Sequence, residues 1–88
     1  MEKLEDVLFI GCTSGTSEYE GKKYDFYRIY LGRKNDKTIG YSPIIVPVEM
    51  EEYEDFKKMA VGEIFTAKIK GYKSSNGSYK YILCTYNI

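Results

Sequence analysis

One segment of the chain switches from the two-residue period of a β-strand to the period of an α-helix. Within residues 49–60, Met50, Tyr53, Phe56 and Ala60 recur at helical spacing, and acidic side chains fill most of the other positions. Short apolar runs bounded by Gly, Pro, Asn and Ser lie on both sides of this segment, a pattern typical of strands and turns. A chain with one helix inside a series of strands is restricted to a few β-rich folds.

Three strands are predicted before the helix and two after it. They cover residues 4–13, 23–32, 38–48, 64–73 and 78–88, with loops at 14–21 and 33–37. Pro43 indicates a bulge or an edge position in the third strand, because proline cannot donate to a β-ladder. Residues 74–77 read Ser-Ser-Asn-Gly, and Asn-Gly is a strong hairpin-turn signal.

This order of elements predicts an all-β fold with one short helix between strands 3 and 4. It is the layout of the OB-fold, a five-stranded Greek-key barrel. An SH3-like barrel is the alternative, although it normally lacks a three-turn helix at this point. With 88 residues, we expect a single OB-fold domain spanning residues 1–88.

The composition argues for a folded protein without catalytic chemistry. Apolar residues make up 43% of the chain and aromatic residues 16%, but His is absent, which removes the usual general base and the commonest metal ligand. Glu51, Glu52, Glu54 and Asp55 have no His or Cys near them in sequence, so they are expected to form a solvated helix face. We therefore predict no enzyme activity, cofactor, metal or small-molecule substrate.

The chain carries no recognisable export or membrane signal. Its first residues, MEKLED, are too charged for the apolar part of a signal peptide, and no apolar run approaches transmembrane length. Cys12 and Cys84 lie outside any CxxC motif, so two buried thiols are favoured over the alternative of one disulfide. These features predict a cytoplasmic protein without a membrane partner.

Charge is sorted along a chain whose formal net charge is zero. Residues 1–20 and 49–63 are each net acidic by four charges, whereas residues 21–48 and 64–88 are each net basic by four. Such sorting can give a neutral protein one basic and one acidic face. Chance segregation on a small surface is the alternative.

The second predicted strand alternates rings and cations. Because strand side chains alternate between faces, Tyr24, Phe26, Arg28 and Tyr30 share one face, and Ile29 is then directed inward. Rings on which bases stack, next to cations that pair with phosphates, suit a single nucleic-acid strand. The alternative is that these rings belong to the core or to a dimer interface.

Further cations and rings extend this candidate site. The loops that flank the second strand contribute cations that together form a plausible phosphate track. These are Lys22, Lys23, Arg33, Lys34 and Lys37. The third, fourth and fifth strands add a similar mixture of tyrosines and lysines. These are Tyr41, Lys68, Lys70, Tyr72, Tyr79, Lys80 and Tyr81.

Residues 13–32 resemble the gene V type single-stranded-DNA-binding proteins of filamentous phages. A polar loop ends in Gly-Lys at residues 21–22, Tyr24 follows two positions later with Phe26 on the same face, and the strand closes on Leu-Gly at residues 31–32. The resemblance implies DNA contacts for Lys22 and Tyr24, and more weakly for Phe26.

The same resemblance implies a function. It points to a homodimer that coats single-stranded DNA cooperatively, with little sequence preference, and supports replication or transfer of a phage or mobile element. Single-stranded RNA binding, or a protein-interaction module of the same fold, is the alternative.

Overall fold

The computed structural model describes residues 4–88, so the first half of the charged MEKLED segment lies outside it. The elements are β1 (Glu5–Tyr19), β2 (Lys22–Arg33), β3 (Ser42–Pro47), α1 (Met50–Phe56), β4 (Ile64–Lys73) and β5 (Tyr79–Asn87). The predicted order of three strands, one helix and two strands is confirmed.

The strands form one antiparallel sheet in the order β3-β2-β1-β4-β5. Its two edge strands, β3 and β5, are not hydrogen-bonded to each other, so the described residues do not close into the predicted barrel. Pro43 and Pro47 contribute to this opening because each removes an N–H donor from β3. Of the two possibilities predicted from Pro43, a bulge or an edge position, the structure shows the edge position.

The core lies between the inner face of the sheet and α1. The inner face is the one that bears Ile29 and Leu31, both fully buried. Phe56 of α1 is also fully buried, with its ring centroid 5.3 Å from that of Phe65 and 4.8 Å from that of Tyr86. This single side chain therefore anchors the helix to two strands that lie on the same side of the sheet.

The helix is shorter than its sequence pattern predicts. It ends at Phe56 and not at residue 60, because the backbone N–H groups of Lys58 and Met59 bond to carbonyls three residues back. Met50 is 56% exposed, so the predicted apolar stripe is only partly buried.

Residues 14–19 form strand where a loop was predicted. β1 continues to Tyr19, and Glu20 and Gly21 form a two-residue turn with φ of 52° and 79°. Two consecutive residues with positive φ, in the left-handed backbone conformation, are typical of a type I′ hairpin turn. The hairpin tip has few apolar residues because both of its faces are exposed, so no alternation marked it as strand.

Each of two strands contains one bulge, which disrupts its alternation. Ile10 is the extra residue in β1 where its register against β2 shifts, and Cys84 is the extra residue in β5 where its register against β4 shifts. The inward side chains Leu83 and Tyr86 are consequently three residues apart. The expectation of two buried thiols is wrong: Cys84, the bulge residue of β5, is exposed and Cys12 is only half-buried, and both are free.

The third strand is shorter than predicted, and the loop before it is longer. β3 begins at Ser42, not at residue 38. The side chains of Asn35 and Thr38 hydrogen-bond to the Ser42 hydroxyl at 2.9 and 3.2 Å. These bonds compete with a β-ladder over residues 38–41.

Candidate nucleic-acid interface

The outer face of β2 carries the four residues expected there. Tyr24 is 49% exposed and Arg28 is exposed, whereas Phe26 and Tyr30 are half-buried. On the opposite face, Ile29 and Leu31 are buried in the core, whereas Asp25 near the hairpin tip is exposed. The alternation that the sequence predicts for this strand is confirmed, and it leaves rings and a guanidinium on the solvent side.

Phe26 is held between its neighbours. A Cβ atom on Gly15, its partner in β1, would lie 2.6 Å from Cζ of the Phe26 ring, so this ring covers the bare glycine backbone. The guanidinium carbon of Arg28 lies 4.5 Å from the Phe26 ring centroid, a cation–π distance. Phe26 therefore offers less free ring surface than Tyr24.

A groove separates the outer faces of β2 and β3 from the β4–β5 hairpin. Its volume is about 280 Å³. It is lined by Arg28, Ile45, Pro47, Tyr72, Tyr79, Lys80, Tyr81 and Ile82. Two predicted site residues from distant parts of the chain, Arg28 and Tyr72, thus line one cavity. Tyr79 is 68% exposed at its rim.

The tip of the β1–β2 hairpin adds a residue that the sequence interpretation missed. Tyr19 lies opposite Lys22, and Ser17 lies opposite Tyr24. Because directly paired residues share a face, Tyr19, Lys22 and Tyr24 lie together on the outer face. Lys23 pairs with Glu18 on the other face. Tyr19 could have been found only by interpreting residues 14–19 as strand.

Arg33 lies at the opposite end of β2 and is paired with Glu5. Its Nη2 is 2.7 Å from one carboxylate oxygen and its Nε is 3.1 Å from the other. This half-buried bidentate pair occupies two of the five guanidinium donors and neutralises the charge that would attract a phosphate. The structure does not bring Arg33 together with Tyr24, since nine residues of strand span roughly 30 Å.

Lys34 and Tyr41 belong to this distant end as well. The Lys34 ammonium lies 5.5 Å from the Tyr41 ring centroid. Tyr41 precedes β3 and packs on Gly32, where an added Cβ would lie 2.9 Å from Cβ of Tyr41. These two residues form a cluster separate from the groove.

The outer face of β4 carries the remaining predicted residues. Lys68, Lys70 and Tyr72 alternate with buried Ala67 and Ile69, as the sequence predicts. Lys70 pairs with Ile82 and Tyr72 pairs with Lys80, which extends the groove wall.

Tyr81 differs from the other β5 tyrosine of the candidate site. It packs against the core cluster, and its ring lies over Gly71, where an added Cβ would lie 3.2 Å from Cε1 of Tyr81. Tyr79 is the residue of this pair that reaches solvent.

The acidic helix lies on the inner face of the sheet, away from the outer-face lysines. Glu49 and Glu52 form a capping box at its start. With Glu51 they border a second cavity, of about 540 Å³, between Pro47–Val48 and β5. This arrangement places acids next to the open edge and cations on the outer face.

Residues 4–88 carry neither a metal-ion cluster nor a membrane-spanning helix. Across residues 4–88, no group of three His, Cys, Asp or Glu residues is arranged to hold a metal ion. None of the helices formed by these residues is both long and apolar enough to cross a membrane. Comparisons with protein-family models, with curated proteins and with solved structures find no match to this chain.

Proposed function

We propose that this protein binds single-stranded DNA with little sequence preference through the outer face of β2 and the neighbouring groove. The observation that carries the proposal is the solvent-side row of Tyr24, Phe26, Arg28 and Tyr30 above a buried Ile29. An exposed ring on a strand, such as that of Tyr24, lets a base stack at roughly 1–3 kcal/mol, whatever the identity of the base.

The proposed fold is a partly open OB-fold. The strand order and the position of α1 between β3 and β4 support it. OB-folds bind oligonucleotides on the face of strands 2 and 3, flanked by the loops that join strands 1–2 and strands 4–5. In this chain those connections are the β1–β2 hairpin and the β4–β5 hairpin that borders the groove.

Cations around the rings supply the contacts to phosphate. Lys22, Arg28, Lys68, Lys70 and Lys80 lie on the outer face or line the groove. With about three to five phosphates neutralised, the logarithm of affinity should fall with the logarithm of salt concentration at roughly −0.7 per contact. Arg33 is omitted from this set because Glu5 already pairs with it.

The test is a titration of fluorescent oligo-dT at two salt concentrations. We expect binding at low salt that weakens at high salt, and no binding at low salt would overturn the proposal. Tyr24→Ala should weaken affinity about fivefold to a hundredfold through lost stacking, without unfolding the protein. Ile39→Ala, which truncates a fully exposed side chain in the β2–β3 loop, is the matched control.

The same proposal includes a homodimer. Leu8 pairs with Ile64 on the outer face, and neither residue lines the groove. Ile64 is 56% exposed and Leu8 is half-buried. An uncharged patch of this kind can face its own copy across a twofold axis. Sedimentation velocity should show a dimer that Ile64→Glu converts to monomer, and a wild-type monomer would contradict this part.

We further propose that the protein acts in the cytoplasm, during replication or transfer of a phage or mobile element. The local resemblance of residues 13–32 to the gene V type proteins supports this role. Single-stranded RNA is the alternative ligand, and oligo-U in the same titration separates the two. The apolar pair of Leu8 and Ile64 on the outer face also suits a protein-interaction module. Capture of a protein partner that persists after nuclease treatment, together with no binding to oligo-dT, would favour that function.

A further inference from the structure

The charged side chains that line the groove are all hydrogen-bond donors. Its charged groups are the Arg28 guanidinium and the Lys80 ammonium, both of which only donate hydrogen bonds. Its apolar wall is formed by Ile45, Pro47 and Ile82. Among residues 4–88, no Asp, Glu, Asn or Gln lines it, so the only side-chain acceptors are tyrosine hydroxyls.

Arg28 is held in place, and among residues 4–88 its guanidinium has no side-chain hydrogen-bond or ion-pair partner. Its guanidinium packs on the Phe26 ring, and that ring rests on Gly15. Within residues 4–88 its guanidinium makes no salt bridge, whereas Arg33 is paired with Glu5. A guanidinium that is already stacked on a ring loses little further conformational entropy when it binds a ligand.

We propose that this groove takes one unpaired base and selects guanine, with Arg28 donating two hydrogen bonds to its O6 and N7 atoms. This inference rests on the proposed function of the groove. Guanine presents two adjacent acceptors on that edge, whereas adenine and cytosine present an exocyclic amine there. Because an amine cannot accept a hydrogen bond, adenine or cytosine leaves at least one of the two Arg28 donors unpaired, and the unmade bond disfavours these bases. Thymine, with the single acceptor O4, is intermediate.

Phe26 then acts as a positioning residue for Arg28. Its ring is occupied by Gly15 below and by the guanidinium, so stacking on bases falls to Tyr24 on the hairpin and to Tyr72 and Tyr79 at the groove. The protein would bind most single strands through these tyrosines and favour those that place a guanine in the groove.

The experiment compares four octamers in lithium buffer, which disfavours guanine quadruplexes: oligo-dT, and oligomers in which T alternates with G, A or C. We expect the G octamer to bind about tenfold more tightly than the A and C octamers, in line with one bidentate contact. Arg28→Lys, which keeps the positive charge but not the planar pair of donors, should remove this preference, so that the G octamer binds no more tightly than the A and C octamers. Lys80→Ala, a change in the same groove, should weaken all four octamers equally.

Each outcome has a distinct meaning. Equal affinity of the wild-type protein for all four octamers overturns guanine selection and leaves the proposed function standing, whereas no binding to any octamer overturns the proposed function. Phe26→Leu keeps an apolar side chain without a ring. It should lose the guanine preference while keeping wild-type circular dichroism and thermal midpoint. If it folds and keeps the preference, the positioning role of Phe26 is wrong.

Discussion

At the residue scale, three glycines of the sheet each lie beneath an aromatic ring. Gly15 is covered by Phe26, Gly32 by Tyr41 and Gly71 by Tyr81. Glycine normally weakens a strand, but a ring packed on the bare backbone offsets this loss. The sequence shows that these glycines weaken their strands. It does not show which aromatic ring packs on each one, because the rings come from other parts of the chain.

Gly32 should be the least replaceable of these glycines. In Gly32→Ala the new Cβ would lie 2.9 Å from Cβ of Tyr41, an atom that cannot move without its backbone. We expect a loss of about 1–3 kcal/mol in the free energy of unfolding from this overpacking, measured by urea denaturation. Gly11→Ala, where nothing lies within 4 Å of the added atom, should be neutral or slightly stabilising. Equal effects at both sites would contradict the packing account.

Tyr86 links the last strand to the helix. Its hydroxyl donates to Asp55 Oδ2 at 2.5 Å. This hydrogen bond, followed by burial and the nearby carboxylates, raises the pKa of Tyr86 from 10.0 to about 12. The phenol is protonated more tightly in the folded state, so its stabilising contribution is complete below pH 10 and is lost as pH rises toward about 12.

Tyr86→Phe should reveal this dependence. We expect it to lower the free energy of unfolding by about 1 kcal/mol at neutral pH, the value of one hydrogen bond. The gap between wild type and variant should stay constant up to about pH 10 and shrink above it, because only the wild type loses the bond. Subtracting the two pH profiles removes the titration of the lysines that both proteins share. A gap that widens above pH 10 would contradict the assignment.

At the element scale, α1 depends on packing for its existence. Seven residues are too few for a helix stable in isolation. Phe56 buries its ring against those of Phe65 and Tyr86, and its centroid lies 6.1 Å from that of Phe9. The helical period showed where the helix starts, but its end at Phe56 depends on which turn reaches the core.

Phe56→Ala should therefore be the most damaging truncation in the helix. We expect a loss of about 3–5 kcal/mol, measured by chemical denaturation. Because a loss of this size can unfold an 88-residue domain, Phe56→Leu serves as a milder variant with a smaller loss. Met50→Ala, at the exposed start of the same helix, should change stability by less than about 0.5 kcal/mol. A comparable loss at Met50 would mean that helix propensity, not packing, dominates.

At the scale of the whole molecule, charge placement matters more than net charge. The chain is formally neutral, yet the acids of α1 lie on the inner side of the sheet while Lys68 and Lys70 lie on the outer face. Salt screens exposed charges beyond about 8–10 Å, so each charge acts mainly on the ligand groups that lie close to it. A neutral protein can thus present a locally basic surface.

Two charge reversals of equal size test this point. Lys70→Glu and Lys58→Glu both lower the net charge by two, but only Lys70 lies on the outer face, whereas Lys58 follows the helix. We expect Lys70→Glu to weaken binding of oligo-dT at least several-fold and to reduce its salt dependence. Lys58→Glu should have little effect. Equal weakening by both would show that net charge, not placement, governs affinity.

The sequence by itself determined the order of elements, the restriction of Pro43 to a bulge or an edge position, and the split of β2 into a buried and an exposed face. These are local properties, set by periodicity and by which backbone groups can bond. Only the tertiary structure decided that the sheet stays open, that Glu5 occupies Arg33, and that Arg28 and Tyr72 line one groove. Each of these depends on strand register and on contacts between distant segments, which no local pattern encodes. The solvent-side row of β2 was therefore visible in the sequence, whereas the groove that gives it a ligand hypothesis appeared only in the fold.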